Sequence, residues 1–591
     1  MNFKNKKLSM KLLMIFIFAA VLILINILVS DLSLRFDSTE NKIYSLSNAT
    51  HEIIKKTKNP ITLKYFNNAS SISDIPGEFK AYSKRIEDLL KEYSRYSKGK
   101  IILETIKPEI DSEEEDNANA FGLRGIELPG ENNLYIGLAA ISGEKEEIIP
   151  FFDPENEPKL EYELTSIISR LQSQKKKRIG ILSSINILGG PHFQGQQSPK
   201  WYFTDVLEKQ YELENLDLDL ESIPEDIDLL ILFQPKEVSE KINKQALKSL
   251  EKGKRLIILA DPLSLLDPEG RMAPYSFPMK EELENYGIKF NETTAIADLN
   301  AATQIMGRDN TPELNPGWLS IFADGISQEN IISANLENLL FPIAGGIEFE
   351  KKEGLSYESL AWSSKNSILY DPSMLQFQGM DALKHNFNPE DKNYSLALKV
   401  SGKFSKDNEA KGTLVLISDT DFLFDQFYMQ KQNFLGFEMA NMFNDNLNFF
   451  LNCVELMCGE PELIEIRSRQ STSRPFTKVK ELEDKAKEKW LEKENMLANK
   501  AEQTKAKLEA LQSQRIEGQN LVLSKEQEDE IKKFREEKKQ IDKELKKVRR
   551  QLRADIESLG TKIKMLNIFL MPSIIALIGI ISGIRRKRKN M

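Results

Sequence analysis

Residues 412–425 read GTLVLISDTDFLFD, an aliphatic run that stops at aspartates. Residues 255–262, RLIILADP, have the same form. A continuous apolar run of this length is typical of a strand buried on both faces in a parallel sheet. Ligands of such sheets bind beyond the carboxyl ends of the strands. The two stretches therefore indicate an α/β fold and place Asp261, Asp419 and Asp421 where a crevice is expected.

The region around these strands alternates apolar runs with amphipathic segments. Further strands are predicted for RIGILSS and IDLLILFQP, and helices for WYFTDVLEKQ and KINKQALKSLEKG. Strands separated by helices predict a doubly wound parallel sheet. We therefore assign residues 176–465 to a Rossmann-like α/β domain. Within it, about 266–411 form a large insertion with strands of its own, for example SLALKVSG at 395–402.

Residues 31–175 predict a separate first α/β domain. ITLKYF and KIILETI alternate in hydrophobicity, as half-buried strands do. The segment between them has the 3.6-residue period of a helix. Six apolar or aromatic side chains fall on one face of that helix: Phe79, Tyr82, Ile86, Leu89, Leu90 and Tyr93. The three segments together predict a β-α-β unit.

Both ends of the chain carry uncharged apolar runs, residues 12–29 and 565–584. At about 1.5 Å per residue, a helix formed by the first run would nearly cross the hydrocarbon core of a membrane, and one formed by the second would cross it. Lysines precede the first run and a basic cluster follows the second, and such residues stay cytoplasmic. We therefore expect residues 1–30 to form a cytoplasmic tail and transmembrane anchor, and 585–591 a basic cytoplasmic tail.

This arrangement predicts that the protein sits in the inner membrane of a bacterium with its bulk in the periplasm. A cleaved signal peptide is the alternative for the first apolar run. A buried core helix with a nuclear-type basic tail is the alternative for the second. The membrane anchor is the interpretation we favour at both ends.

Residues 476–563 are highly charged and predict a coiled-coil hairpin. Apolar residues recur three, four or seven apart, as the seam of a coiled coil requires. Gly518 and Ser524 divide the segment, and Ser524 can begin a second helix as its N-terminal cap. The seam of the second helix consists of Ile531, Phe534, Ile541, Leu545, Val548, Leu552, Leu559 and Ile563. One unbroken helix is the alternative.

The composition argues against many enzyme classes. Only 3 His and 2 Cys occur among 591 residues, so the side chains most used for zinc binding and nucleophile activation are scarce. No GxxxxGK[ST] phosphate loop and no GxSxG elbow occur in the sequence. The net charge of −9 does not indicate a nucleic-acid-binding protein. We predict neither a cofactor nor a metal, and we expect Cys453 and Cys458 to be small buried hydrophobes.

The aspartates at the strand ends permit two interpretations. A carboxylate at such a position can bind a ligand or a metal, or it can cap a helix and brace a turn. No His, Cys or Lys partner is identifiable nearby in the sequence. We favour capping and bracing for Asp261, Asp419 and Asp421, and keep a ligand-binding crevice as the alternative.

Several long segments, in order along nearly the whole chain, resemble the Gldg-type auxiliary components of ABC transporters, a family named for a gliding-motility system. The segments that carry the resemblance are RFDSTENKIYSLSNATHEIIKKTKNPITLKYF, NLYIGLAAISGEKEEIIPFFDPENEPKLEYELTSIISRLQ, SPKWYFTDVLEKQYELENLDLDLESIPEDIDLLILFQPKEVS and LEKGKRLIILADP. The resemblance implies a second domain similar to the class I glutamine amidotransferase fold without its catalytic residues. Gliding itself does not carry over.

The resemblance implies a non-catalytic extracytoplasmic subunit beside an ABC permease and a separate ATP-binding subunit. Such a subunit would couple the transporter to an envelope protein, a peptide or a solute. Two alternatives remain open: a periplasmic solute receptor, and an enzyme that uses the aspartate-lined crevice.

Overall fold

The computed structural model describes residues 45–470 apart from short gaps, and seven helical, exposed polar positions between 532 and 544. The gaps are 73–74, 124, 129–132, 174, 192–196, 268–276, 307–311, 374–382, 384–386 and 435–436. The chain divides into two units, Met1–Thr472 and Ser473–Met591. Nearly all described residues belong to the first unit, which contains both α/β domains.

The first domain is a four-stranded sheet covered by helices. Its elements are α1 (Asn48–Lys56), β1 (Ile61–Asn67), α2 (Gly77–Tyr96), β2 (Ile101–Ile106), α3 (Glu113–Ala120), β3 (Ile126–Glu127), β4 (Asn133–Leu134), β5 (Ile136–Ser142), β6 (Lys145–Ile149) and α4 (Leu160–Gln172). The strand order is β2-β1-β5-β6. β1 and β2 are parallel, whereas β5 is antiparallel to β1.

The predicted β-α-β unit of this domain is confirmed. β1 and β2 pair with Ile61 opposite Ile101, and α2 connects them. All six side chains assigned to the apolar face of α2 are buried. They share one core with β1 and β5 and with α4. The helical period therefore identified the packing face correctly, because that face alone could remove enough apolar surface from water.

The second domain begins with alternating strands and helices. These elements are β7 (Arg178–Ser183), β8 (Gly190–Pro191), β9 (Gln197–Ser198), α5 (Tyr202–Gln210), β10 (Glu212–Asn215), β11 (Leu229–Phe233), α6 (Glu240–Glu251) and β12 (Arg255–Leu259). The insertion contributes α7 (Lys280–Asn285), β13 (Ile288–Asp298), β14 (Ala302–Met306), β15 (Pro312–Phe322), β16 (Asn338–Pro342), β17 (Gly345–Phe349), β18 (Leu355–Trp362), β19 (Ser367–Tyr370) and β20 (Ser395–Gly402). The domain ends with β21 (Gly412–Ile417), β22 (Met429–Phe434), β23 (Phe437–Met442), α8 (Asn446–Cys458) and α9 (Pro461–Gln470).

Ten of these strands form one large mixed sheet of order β10-β7-β11-β12-β21-β20-β17-β13-β19, with β18 paired to β20. The strands from β10 to β21 are parallel, and β20 is antiparallel to β21. Helices cover both faces of the parallel part: Ile231 of β11 packs in the core that contains α5 and α8, and Leu232 packs in the core that contains α6. The insertion therefore widens the sheet with antiparallel strands, and in its described part β14, β15 and β16 form a separate sheet. The pairs β8-β9 and β22-β23 form two further small sheets.

Helices α8 and α9 connect the two domains. Leu463 and Ile466 of α9 share an apolar cluster with Ala49 of α1. Below this cluster, Arg467 of α9 donates to Glu455 of α8, with Nη1 2.9 Å from Oε2. The prediction ended the second domain at 465, but α9 continues to Gln470 and packs on the first domain.

The predicted transmembrane helix at each end is corrected. Among the helices of the described residues, none combines the length and the hydropathy that a membrane span requires. The fold that the structure shows is a mixed α/β body with large sheets. The two apolar runs on which the prediction relied, residues 12–29 and 565–584, lie outside the described residues, as do the tails 1–30 and 585–591. The coiled-coil hairpin of 476–563 lies outside them too, apart from the seven positions, and stays a prediction.

Candidate functional site

The candidate site lies where β12 and β21 end. These strands are parallel neighbours, with Leu259 opposite Ile417, so the residues that follow each strand meet at one edge of the sheet. The structure brings Asp261, Asp419 and Asp421 together there. One carboxylate oxygen from each lies within 4.8 Å of one from each of the others, and all three residues are completely buried.

The aspartates fix the turns in which they lie. Asp261 Oδ1 accepts from the N–H of Leu263 at 2.9 Å, and Asp419 Oδ1 accepts from the N–H of Phe422 at 3.0 Å. Both are short-range bonds of the kind that Asp side chains make in turns. This is the capping and bracing geometry that we favoured from the sequence.

Asp421 and Asp261 also join the two loops to each other. Asp421 accepts from the hydroxyl of Ser264 at 2.7 Å and from the N–H of Leu265 at 2.6 Å. The hydroxyl of Thr420 donates in return to Asp261 Oδ2 at 3.2 Å. Because each loop supplies donors to the other, the two strand ends are held as one unit.

Gln234, at the end of β11, is a positioning residue that the sequence reasoning missed. Its side-chain oxygen accepts from the N–H of Asp261 at 2.9 Å, and its side-chain nitrogen donates to the Asp261 carbonyl at 3.1 Å. The residue has a positive φ of 47°, a region that few non-glycine residues adopt. The polar residue after the apolar run of β11 was the only sign of this role in the sequence.

The electrostatics of the site disfavour three ionised carboxylates. Burial raises the pKa of Asp419 well above its ordinary value, and the charges of Asp261 and Asp421 raise it further. Burial and the charge of Asp421 likewise raise the pKa of Asp261. The backbone N–H donors lower both pKa values, but they offset only part of the effect. Like charges this close in a medium of low dielectric repel strongly.

Two polar atoms at or near the cluster have no hydrogen-bond partner. Asp419 Oδ2 is one of them, and the hydroxyl of Tyr370 is the other. Tyr370 is buried, and the charge of Asp261 contributes to the raised pKa of its phenol after the larger effect of burial. Buried polar groups nearly always have a hydrogen-bond partner. The two unpartnered atoms therefore indicate that the cluster does more than brace two turns.

In the described part of the chain, the three aspartates do not open onto a crevice. All three side chains are enclosed, so no solute can touch them in this conformation. Two surface pockets lie away from the aspartates. One of about 420 Å³ lies beside Phe349 and Trp362, and one of about 460 Å³ lies beside Arg170 and Tyr211.

The remaining candidate side chains have ordinary surroundings. Cys453 and Cys458 are free and buried, which confirms the prediction for both. His51 packs on the ring of Tyr96, with centroids 4.3 Å apart. His192 and His385 lie outside the described residues.

Two regions of the chain match models of known protein families. Residues 176–453 match the model of a family described as an ABC-type uncharacterized transport system, whose members are auxiliary components. Residues 40–140 match a second model, described as a domain of unknown function. The first match supports an auxiliary protein of an ABC-type transport system, and it agrees with a non-enzymatic role. No curated protein matches the chain.

Three solved structures are similar at low identity. A ThuA-like protein from Bacteroides uniformis ATCC 8492 is 10% identical, with 48% of this chain and 93% of that chain covered and a TM-score of 0.25. A β-galactosidase from Rahnella sp. R3 is 11% identical, with 71% and 49% covered and a TM-score of 0.23. A β-galactosidase from Bacillus circulans sp. alkalophilus is 10% identical, with 58% and 55% covered and a TM-score of 0.21. The chain thus spans about half of each galactosidase. At these TM-scores, the three similarities support no conclusion about the fold or function of this chain.

Proposed function

We propose that this protein is a non-catalytic auxiliary subunit that couples the permease and the separate ATPase of an ABC transporter to an envelope partner or a substrate. The observation that carries the proposal is the match of residues 176–453 to a family of ABC-type transport systems. The Gldg-type assignment is a finer part of the same proposal, and it rests on the sequence segments quoted above.

The chemistry of the chain supports a role without catalysis. The sequence contains no phosphate loop, so the energy for transport would come from a partner that binds ATP. The strand-end aspartates, the best candidates for chemistry, are buried and bonded to the turns that they brace. An enzyme or a receptor that used these side chains would need a conformation in which a solute reaches them.

The contact between the two α/β domains supports a coupling role. Tyr162 of α4 lies in the first domain, and its hydroxyl is 2.7 Å from Glu455 Oε1 in the second. The guanidinium of Arg467 lies over the ring of Tyr162, 4.2 Å from its centroid. Lys56 and Glu462 form a further ion pair across this boundary at 2.6 Å. A displacement of one domain would therefore act directly on the other.

The proposed location rests on the sequence and not on the described residues. We propose that the two α/β domains lie outside the cytoplasm, in the periplasm of a bacterium. Protease added after the outer membrane has been permeabilised should then cleave exposed loops of these domains while the inner membrane is still intact. Protection until the inner membrane is lysed would contradict this location.

The decisive experiment for the function is recovery of the transporter with the full-length chain. The chain carries an affinity tag and is expressed from its own locus at its native level. We expect the permease and the ATP-binding subunit to be recovered together with it. An unrelated tagged protein of the same compartment is the control. Recovery of neither subunit, from cells in which both are present, would contradict the proposal.

A second measurement separates coupling from catalysis. In the coupling model, deletion of this chain leaves a permease and ATPase complex that still hydrolyses ATP, while transport or its envelope function fails. In an enzyme model, the purified chain alone would convert a substrate. Turnover by the isolated chain would favour the enzyme.

A further inference from the structure

We infer that Asp261, Asp419 and Asp421 together bind a divalent cation with a preference for oxygen ligands, Ca²⁺ or Mg²⁺, inside the second domain. The inference does not depend on the proposed transport function. It concerns how the loops after β12 and β21 are held together.

The first argument is charge. Three carboxylates converge in a space that water does not reach, with oxygens within 4.8 Å of one another. Burying even one ionised carboxylate is costly unless it is paired or binds a metal. Among the described residues, no lysine, arginine or histidine forms an ion pair or hydrogen bond with Asp261 or Asp419. Lys236, two residues after Gln234, pairs with Asp267 at 2.5 Å.

The second argument is the unpartnered oxygen. Asp419 Oδ2 is buried and has no hydrogen-bond partner, although the other oxygen of the same carboxylate accepts from the N–H of Phe422. An aspartate that served only to brace its turn would leave its second oxygen buried without a partner, which costs free energy and costs most for a charged group. A bound cation would satisfy Oδ2 and offset the charge at the same time.

The third argument is preorganisation. Donors from the backbone or from a hydroxyl hold one or both oxygens of every carboxylate: Leu263, Phe422, Leu265 and Ser264. Ligands of metals are commonly oriented by such outer hydrogen bonds. Each carboxylate oxygen has two lone pairs, so an oxygen that accepts one hydrogen bond can still bind a cation.

The ligand set selects the class of metal. The cluster offers carboxylate oxygens and no sulfur or imidazole, which favours Ca²⁺ and Mg²⁺ over zinc or copper. Oxygens separated by up to 4.8 Å suit Ca²⁺, whose ligands lie about 2.3–2.6 Å from the ion. A shorter separation within that limit suits Mg²⁺, whose ligands lie about 2.0–2.1 Å away.

The competing explanation is a proton. A protonated Asp419 could donate through Oδ2 to a neighbouring carboxylate, and the cluster would then need no metal. The two explanations differ in composition and in their response to chelators, so one set of measurements separates them.

The test uses the purified full-length chain. Its metal content is measured by mass spectrometry after passage through metal-free buffer, and its Tm is measured with EDTA, CaCl₂ or MgCl₂, with KCl as the control for ionic strength. We expect about one equivalent of Ca²⁺ or Mg²⁺ per chain. We also expect a Tm higher by roughly 5 °C or more with the ion at about a hundred times its Kd than with EDTA.

The variant Asp419→Asn and its matched control Asp298→Asn identify the site. Asp298 is another fully buried aspartate at a strand end, and it accepts from the N–H groups of Asn300 and Ser364, but it is not part of the cluster. We expect Asp419→Asn to lose both the metal and the response of Tm to EDTA, while Asp298→Asn keeps both.

Absence of a stoichiometric ion, together with a Tm that neither EDTA nor added Ca²⁺ or Mg²⁺ changes, would overturn the inference. This result is obtained on the unaltered protein, so it stands even if Asp419→Asn fails to fold. A rise in the Tm of Asp419→Asn in metal-free buffer would then assign the second oxygen to a proton.

Discussion

Arg467 and Glu455 form an ion pair that is buried from solvent, with side-chain exposures of 6% and 2%. Tyr162 of the first domain bonds to both partners. Burial alone would lower the pKa of Arg467, but the charge of Glu455 and the hydrogen bonds to Glu455 and Tyr162 raise it, so the guanidinium remains charged. The guanidinium of Arg467 therefore connects three helices from two domains: α9, α8 and α4.

The first prediction concerns this pair. Glu455→Gln leaves the guanidinium of Arg467 buried without its counter-charge, so we expect the free energy of unfolding to fall by about 3–5 kcal/mol. Urea denaturation measures the loss. The control is Glu462→Gln, which removes the partly exposed pair with Lys56 and should cost about 1 kcal/mol or less. Equal losses in the two variants would show that burial of the Arg467 pair is not what matters.

The second prediction concerns a close approach between β21 and α6. A Cβ at Gly412 would lie 2.3 Å from the carbonyl oxygen of Leu250, and a backbone atom cannot move away as a side chain can. We expect Gly412→Ala to lower the free energy of unfolding by about 1–3 kcal/mol or more, as overpacking does. Gly77→Ala is the control, because a Cβ there meets nothing within 4 Å. A Gly412→Ala protein as stable as the control would contradict the packing described.

The third prediction concerns pH. Asp425 accepts from the N–H of Tyr202 at 2.9 Å, and burial raises its pKa above 3.8. The folded protein therefore holds this proton more tightly than the unfolded chain does. The stability that protonation contributes is present below pH 3.8 and is lost as the pH rises through the raised pKa.

Asn at this position stays neutral and can still accept the N–H bond of Tyr202. We therefore expect Asp425→Asn to gain stability relative to the wild type as the pH rises from 3.8 through the raised pKa of Asp425. Urea denaturation at several pH values measures the difference. Asp407→Asn, which removes one carboxylate from an exposed turn, controls for net charge. A difference that does not change with pH, or that changes in the opposite direction, would contradict the prediction.

The fourth prediction concerns the two thiols. Burial raises the pKa of Cys458 to about 12 and that of Cys453 well above its ordinary value. The thiolate is the reactive form, so we expect no rapid reaction of the native chain with an aromatic disulfide reagent. Both thiols should react once urea unfolds the protein. Rapid labelling of the native chain would show that α8 is more accessible than the structure indicates.

The sequence identified the strands of the site but not its interior. The aliphatic runs before Asp261 and Asp419 identified two strands, because only a doubly buried strand has such a continuous pattern. The sequence did not show that Asp421 accepts from Ser264, which lies 157 positions away. Nor did it show that Gln234 holds the backbone of Asp261, because that role depends on an unusual φ. Contacts of this kind arise from the tertiary fold and leave no local pattern.

The insertion was harder to predict for a different reason. β13 begins with alternating burial and ends with four consecutive buried residues, so no single period describes it. Its neighbours β17 and β19 pair with different parts of the strand. A sequence pattern that changes along one strand does not reveal that the strand belongs to the main sheet.

Helix α9 returns from the second domain to pack against α1, the first helix of the described body. Ala49 meets Leu463 and Ile466 there, and Lys56 bonds to Glu462. The first and last helices of the described body therefore meet in a single patch. A mechanical force applied to either α1 or α9 would therefore act on this one small contact, and the two helices would share it.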